Sequence, residues 1–182
     1  MTRISPVESS SASDKSNQLL SGVQKKLGMT PNMMSTMAHS SAVLDAYLKF
    51  SAALGEGELP AKTREQIALT VGQANGCDYC LGAHSAIGKM IGLSTSEIRD
   101  ARLGTAADPK TEAILWLASK LVEKRGLLSD DDLAAARDAG VTDAEITEVV
   151  ANTALNLFTN YFNHVAETEI DFPAAEPLEA VA

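Results

Sequence analysis

Glu65-Gln66-Ile67-Ala68-Leu69-Thr70-Val71-Gly72-Gln73-Ala74-Asn75-Gly76-Cys77-Asp78-Tyr79-Cys80-Leu81-Gly82-Ala83-His84 holds both cysteines of the chain, one of its three histidines and a carboxylate upstream of them. Ile67, Val71 and Ala74 recur at helical spacing, so the first half reads as a helix opened by Pro60. Gly76 ends that pattern, and a second helix starts at the cysteines. On it Cys77, Cys80 and His84 fall at i, i+3 and i+7, which is one face. A thiol at a helix N-terminus sees the positive end of the dipole, which favours the thiolate. An imidazole one turn on can accept or return a proton. The pattern describes a redox dithiol with its own base.

The remaining segments extend this helical reading in both directions. Residues 1–16 are Ser-rich and read as a flexible arm without the apolar stretch of a secretory signal. From Asn17, Leu19, Leu20, Val23 and Leu27 share a helical face that Gly28 closes. Thr30 and Pro31 open a further helix through the Met33, Met34, Met37 cluster, a natural core filler. The same helix continues through Val43, Leu44, Tyr47 and Leu48 to Gly55. After the dithiol helix, Ser94 with Glu97 and Thr142 with Glu145 are capping boxes, and Ser129 with Asp132 is a weaker one. Asp108-Pro109 is an N-cap with Pro at N1. The last long helix runs from about Asp143 past His164, with Ile146, Val149, Val150, Leu157, Tyr161 and Val165 as its apolar side. Residues 173–182, with Pro173 and Pro177, form an acidic tail. No window alternates with period two, and aromatic residues are only 4%. The fold class is therefore all-α, one domain over residues 17–172.

Composition narrows the partners. The 182 residues are 45% apolar, enough for a sizeable core. With 15 Lys plus Arg against 24 Asp plus Glu, the formal charge is −9, which argues against nucleic acid and anionic membranes as partners. No apolar run is long enough to span a membrane. A chain without a secretory signal is expected in the cytoplasm, where a C-x-x-C pair signifies redox or metal chemistry, not a staple.

Four readings of the dithiol compete. The cysteines can be ordinary buried residues. They can bind zinc, but then His84 and a fourth group such as Glu65 or His164 must complete the site, and no second C-x-x-C or H-x-x-x-H is present. A thioredoxin-like fold would need a strand where Glu65–Asn75 reads as helix. In the fourth reading a thiolate attacks a peroxide and the second thiol resolves the sulfenic acid as a disulfide. An external thiol then restores the dithiol. On residue statistics alone Glu65 is a solvated carboxylate; it can orient His84 only if the two helices cross near that point. The dipole favours Cys77 as the thiolate, whereas proximity to His84 favours Cys80, and the residues alone leave both open.

Glu65, Cys77-x-x-Cys80 and His84 together resemble the E…C-x-x-C-x-x-x-H signature of the alkylhydroperoxidase D and carboxymuconolactone decarboxylase superfamily, over about residues 54–104. Residues 142–173, with the stretch from Leu155 to Ala166, resemble the C-terminal helix of its peroxidase-related branch. The resemblance implies a helical bundle assembled as a homo-oligomer, a trimer or a hexamer, with no cofactor and no metal. It implies that Glu65 orients His84, that His84 activates Cys80 through a water, and that Cys77 resolves. It implies a hydroperoxide substrate and an external reductant, lipoyl or thioredoxin-like. Decarboxylation of a muconolactone is not expected, since that branch lacks the dithiol. One departure stands out: the residue before the second cysteine, often His in the family, is Tyr79. Its phenol can donate a hydrogen bond to a thiolate or peroxide but is no base at neutral pH. Asn160 and His164 on the last helix are candidates for a supporting layer or the pocket wall; His39 and Trp116 read as structural. The alternative function is dithiol–disulfide exchange or redox sensing with negligible peroxidase activity.

Overall fold

The computed structural model describes residues 2–178, which fold as α-helices joined by short turns, with no strand among the described residues. In order they are α1 (Asp14–Leu27), α2 (Asn32–Met37), α3 (Ser41–Leu54), α4 (Ala61–Ala74), α5 (Asp78–Met90), α6 (Thr95–Arg102), α7 (Pro109–Glu123), α8 (Asp130–Asp138) and α9 (Asp143–Ala166). The capping signals do what their chemistry predicts. Ser94, Ser129 and Thr142 each accept from the N3 amide while the N3 carboxylate takes the cap's own amide, and Asp108 caps α7 with Pro109 at N1. Each such cap stabilises its helix by about 1 kcal/mol.

α4 is the hub, packed by α5, α6, α7 and α9. It is buried without a break from Gln66 to Gly72. Ile67, Leu69 and Val71 join Leu115 and Leu117 of α7 and Val149 of α9 in the main core. Each such side chain contributes roughly 1.5–3 kcal/mol of burial. α4 has no side-chain cap of its own. Instead the Glu148 carboxylate of α9 accepts from the amides of Glu58 and Leu59 at 2.7 and 2.9 Å, fixing α9 to the entry of the hub. A second cluster gathers Met33, Met37, Leu44, Cys77, Tyr79, Cys80 and Ala83.

The turn between α4 and α5 sets the dithiol. Gly76 sits at φ +63°, a left-handed conformation that costs glycine nothing. The Cys77 amide then reaches back to the Gly72 carbonyl at 2.9 Å. This doubles α5 back against α4, so the helices cross where the Glu65–His84 pairing requires.

Four expectations change. The helix expected to run unbroken from Pro31 to Leu54 is interrupted: α2 ends at Met37, and the extended Ser40 caps α3 by accepting from the Val43 amide. Thr30 is not a cap; Pro31 holds that position, and the Thr30 hydroxyl donates to Gln24. α1 starts at Asp14, capped by Ser13, inside the stretch read as an arm. Residues before it are tied down, since the amides of Arg3 and Ile4 donate to the Ala166 carbonyl and that of Val7 to Ser35. The largest change is the roll of α9. Ile146, Val149 and Leu157 do pack inward, but Val150, Tyr161 and Val165 are exposed. Its buried stripe is polar: Asn152, Thr153, Asn156, Thr159, Asn160 and Asn163. The tail beyond Pro173 lies along α5 as far as it is described; its last residues, 179–182, are outside the described part. A Cβ on Gly82 would come within 2.9 Å of the Pro173 carbonyl oxygen, so the strap requires glycine there.

Candidate active site

Cys77 is the N-cap of α5, and Cys80 is its third residue. The sulfur inside the first turn, where the helix dipole acts, is therefore that of Cys80. Both cysteines are free thiols, 1% and 3% exposed. The Cys77 S–H donates to Cys80, and this bond is the largest influence lowering the Cys80 thiol to about 6, ahead of the nearby His84 charge and the amides of Asn163 and Asn160, all against the cost of burial. The same bond, with burial and the Cys80 charge, drives the Cys77 thiol far up. One sulfur is thus held as thiolate and the other as thiol. The dipole and the imidazole, which the sequence set against each other, act on the same residue.

Glu65 of α4 and His84 of α5 meet at 2.7 Å between Oε2 and Nδ1. Burial pulls the imidazole down, but the Glu65 charge, its hydrogen bond and the Cys80 charge outweigh this and raise it. With Nδ1 engaged, Nε2 is the nitrogen left to move a proton. A cavity of about 230 Å³ opens onto this group. Glu65, Cys80 and His84 all line it, and Cys77 does not. Its walls are largely apolar, with Met33, Met34, Leu155 and Phe172, and the α9 stripe supplies Asn152, Asn156 and Thr159.

The supporting candidates divide. Asn160 is fully buried and its Oδ1 accepts from Asn75 Nδ2 at 3.0 Å. His164 is exposed on the outward side of α9, away from the sulfurs, because the helix presents its polar face inward. Tyr79 lines the cavity, but its hydroxyl accepts from the Met33 amide at 3.2 Å and its ring stands edge-on to Phe172. Burial above all, then the nearby Asp171 carboxylate, keep the phenol neutral. Its hydroxyl is engaged by the backbone of α2 and its ring by the C-terminal strap.

Sequence reasoning missed Asn163 and Tyr47. Asn163 Nδ2 donates to Cys80 Sγ at 3.3 Å and to Met33 Sδ at 3.4 Å. The Tyr47 phenol lines the cavity and is pushed up to about 12, mainly by burial and then by the charges of Cys80 and Glu65. The signal for Asn163 was present as the recurrence of Asn and Thr at three- and four-residue steps from Asn152 onward. A polar stripe that regular needs a buried purpose. Among the described residues no three His, Cys, Asp or Glu side chains are grouped to hold a metal ion, and no helix is long and apolar enough to cross a membrane.

Residues 41–123 match the profile of the carboxymuconolactone decarboxylase family. No curated protein matches the chain by sequence. Among solved structures, an uncharacterized peroxidase-related protein from Ralstonia eutropha JMP134, described as an alkylhydroperoxidase AhpD core, superposes with a TM-score of 0.83 at 26% identity over 94% of each chain. An uncharacterized peroxidase-related protein from Silicibacter sp. TM1040 gives 0.81 at 23% identity over 92% of each chain. The debrominase Bmp8, in a complex with 2,3,4-tribromopyrrole, gives 0.78 at 19% identity over 94% of this chain and 92% of its own; the last two likenesses concern the fold.

Proposed function

We propose, from the premise that the chain belongs to the alkylhydroperoxidase D-like and carboxymuconolactone decarboxylase superfamily, that it is a thiol-dependent peroxidase reducing organic hydroperoxides. The observation that carries the reading is the asymmetry of the two sulfurs. Cys80 faces the cavity beside the Glu65–His84 pair, and Cys77 does not line it.

In the proposed cycle the Cys80 thiolate attacks the terminal oxygen of the hydroperoxide. An S–O bond forms, the O–O bond breaks, and the departing alkoxide takes a proton from the His84 imidazolium to leave as alcohol. Glu65 holds the imidazole in its tautomer throughout. Cys77 gives up its proton and attacks the Cys80 sulfenic sulfur, the S–O bond breaks, and water leaves with the disulfide formed. An external dithiol, lipoyl or thioredoxin-like, returns two electrons by exchange. No cofactor enters the cycle. The acidic chain meets neither nucleic acid nor membrane in this reading, and the cycle suits the reducing cytoplasm. The outward apolar stripe of α9, with Val150, Phe158, Tyr161 and Val165, is assigned to contact with further copies of the chain in a trimer or hexamer.

Stopped-flow mixing of the reduced protein with cumene hydroperoxide, followed by mass spectrometry, tests the reading. One peroxide consumed per dithiol, with a Cys77–Cys80 disulfide as product and no consumption in Cys80→Ser, is expected. Peroxide turnover unchanged in Cys80→Ser would overturn it.

A further inference from the structure

Asn160 lies wholly inside the protein, yet its Nδ2 donates to nothing. Its orientation is fixed from outside the site. Asn75 Nδ2 donates to the Val71 carbonyl at 2.9 Å and to Asn160 Oδ1 at 3.0 Å. A backbone carbonyl only accepts, so Asn75 must present its amide nitrogen there. Asn160 must then present its oxygen to Asn75 and its nitrogen to the opposite side. Asn163, one turn further along α9, donates to Cys80 Sγ from the same helix face, so that side is the Cys80 sulfur, whose anion the Asn160 amide favours without hydrogen-bonding to it. Asn163 is fixed by similar logic. Its nitrogen faces Met33 Sδ, a thioether that only accepts, and Cys80 Sγ. The resting thiolate already has Asn163 as a donor at 3.3 Å and Cys77 as another. An orphaned buried amide beside it is costly unless something arrives to take its proton.

We propose that Asn160 is the hydrogen-bond donor that receives the oxygen of oxidised Cys80 and stabilises the hydroxide leaving that sulfur when Cys77 closes the disulfide. The assignment rests on the peroxidase reading above. In the resolving step the Cys77 sulfur bonds to the Cys80 sulfur while the S–O bond breaks. Negative charge grows on the departing oxygen until it gains a proton and becomes water. A rigid donor in a water-poor site, aimed where that charge develops, lowers the barrier without having to reorganise. The division of labour follows: Asn163 serves the thiolate and Asn160 serves the oxygen that replaces its charge. The titratable groups facing Cys80 are Cys77 ahead of α5, His84 of α5, Glu65 of α4, and the phenols of Tyr47 and Tyr79.

The test separates oxidation from resolution in single-turnover quenched flow with cumene hydroperoxide. Sulfenic acid is trapped with dimedone and disulfide is quantified by mass spectrometry. Asn160→Ala is expected to slow oxidation by no more than about threefold, the loss of its minor influence on the thiolate, but to resolve about a hundredfold more slowly, so that trapped sulfenic acid accumulates. An equal slowing of both steps, the mark of a merely structural role, would overturn the proposal, as would unchanged resolution. If Asn160→Ala does not fold, Cys77→Ser protein keeps the amide and decides the matter. Its Asn160 side-chain N–H resonance should move downfield when one equivalent of peroxide oxidises Cys80, and a resonance that stays in place would overturn the proposal. A wild-type protein that never oxygenates Cys80 would instead remove the peroxidase reading itself.

Discussion

Replacing Cys77 separates two jobs that one thiol performs: holding Cys80 ionised and closing the disulfide. Cys77→Ser keeps an O–H donor and loses the closure; Cys77→Ala loses both. With its thiol lowered to about 6, Cys80 is roughly nine-tenths thiolate at pH 7, against about 3% for an unperturbed thiol. A hydrogen bond to a charged group is worth about 1.5–3 kcal/mol, and 1.36 kcal/mol is one pH unit, so Cys77→Ala should raise the midpoint to about 7.5. At pH 6 that leaves about 3% thiolate where the wild type holds about half. A more basic thiolate is also a better nucleophile, and a Brønsted slope of about 0.4–0.5 makes each one roughly fivefold more reactive. The net expectation is that Cys77→Ala oxidises about threefold more slowly than wild type at pH 6 and about fivefold faster at pH 9, the profiles crossing near pH 7. Cys77→Ser should stay close to the wild-type profile while accumulating sulfenic acid. The assay is stopped-flow oxidation by cumene hydroperoxide across this range, with thiolate absorbance near 240 nm read in parallel. Superimposable Ala and Ser profiles, or an Ala profile lowered by one factor at every pH, would refute the claim that the Cys77 thiol sets the Cys80 charge.

Three further outcomes are expected. Glu65→Gln keeps the size of the side chain but removes the charge that holds His84 protonated; the oxidation rate should fall by about a hundredfold and the Cys80 midpoint should rise, since the His84 charge that favours the thiolate is lost with it, and an unaltered rate would take the pair out of the mechanism. Cys77 is raised in the fold, so above about pH 8.5 the unfolded chain releases a proton that the folded one keeps, and this contribution to stability falls by about 1.36 kcal/mol per pH unit. Urea unfolding of the reduced wild type and of Cys77→Ser should diverge by that slope on the alkaline side, and parallel curves would contradict the burial of a neutral thiol. Tyr161→Glu places a charge in the exposed stripe of α9 and should reduce the mass seen by light scattering without lowering helicity; an unchanged mass would release that face from any role in assembly.

Helix starts were legible because capping is local chemistry. Ser94, Asp108, Ser129 and Thr142 act through atoms within three residues, so the sequence displays the whole mechanism. The break at Ser40 was missed although its cap is equally local, because the apolar residues on either side of His39-Ser40-Ser41 were read as one stripe. The dithiol, His84 and Glu65 were legible as types and spacings, but their meeting depended on a crossing that the left-handed Gly76 produces. The roll of α9 was read the wrong way for a physical reason. Counting apolar residues assumes that the buried face is the greasy one, which holds for a helix that meets core and fails for one that walls a reactive cavity.

That failure explains more of the site than the successes do. A thiolate in an apolar pocket would be expensive, and burial indeed opposes ionisation of Cys80. Water would solvate it but would also admit competing reactions and blunt the field of its neighbours. A helix with carboxamides along its inner face resolves the conflict, since amides donate to an anion without bringing charge or titrating themselves. Their orientation is settled by groups that can only accept: the Val71 carbonyl acting through Asn75, and the Met33 thioether. Because the donors are fixed before the sulfur changes state, they need not reorganise when it does. α9 therefore turns its apolar residues outward and its asparagines inward, and Val150, Tyr161 and Val165 on the surface are the counterpart of the polar lining at Cys80.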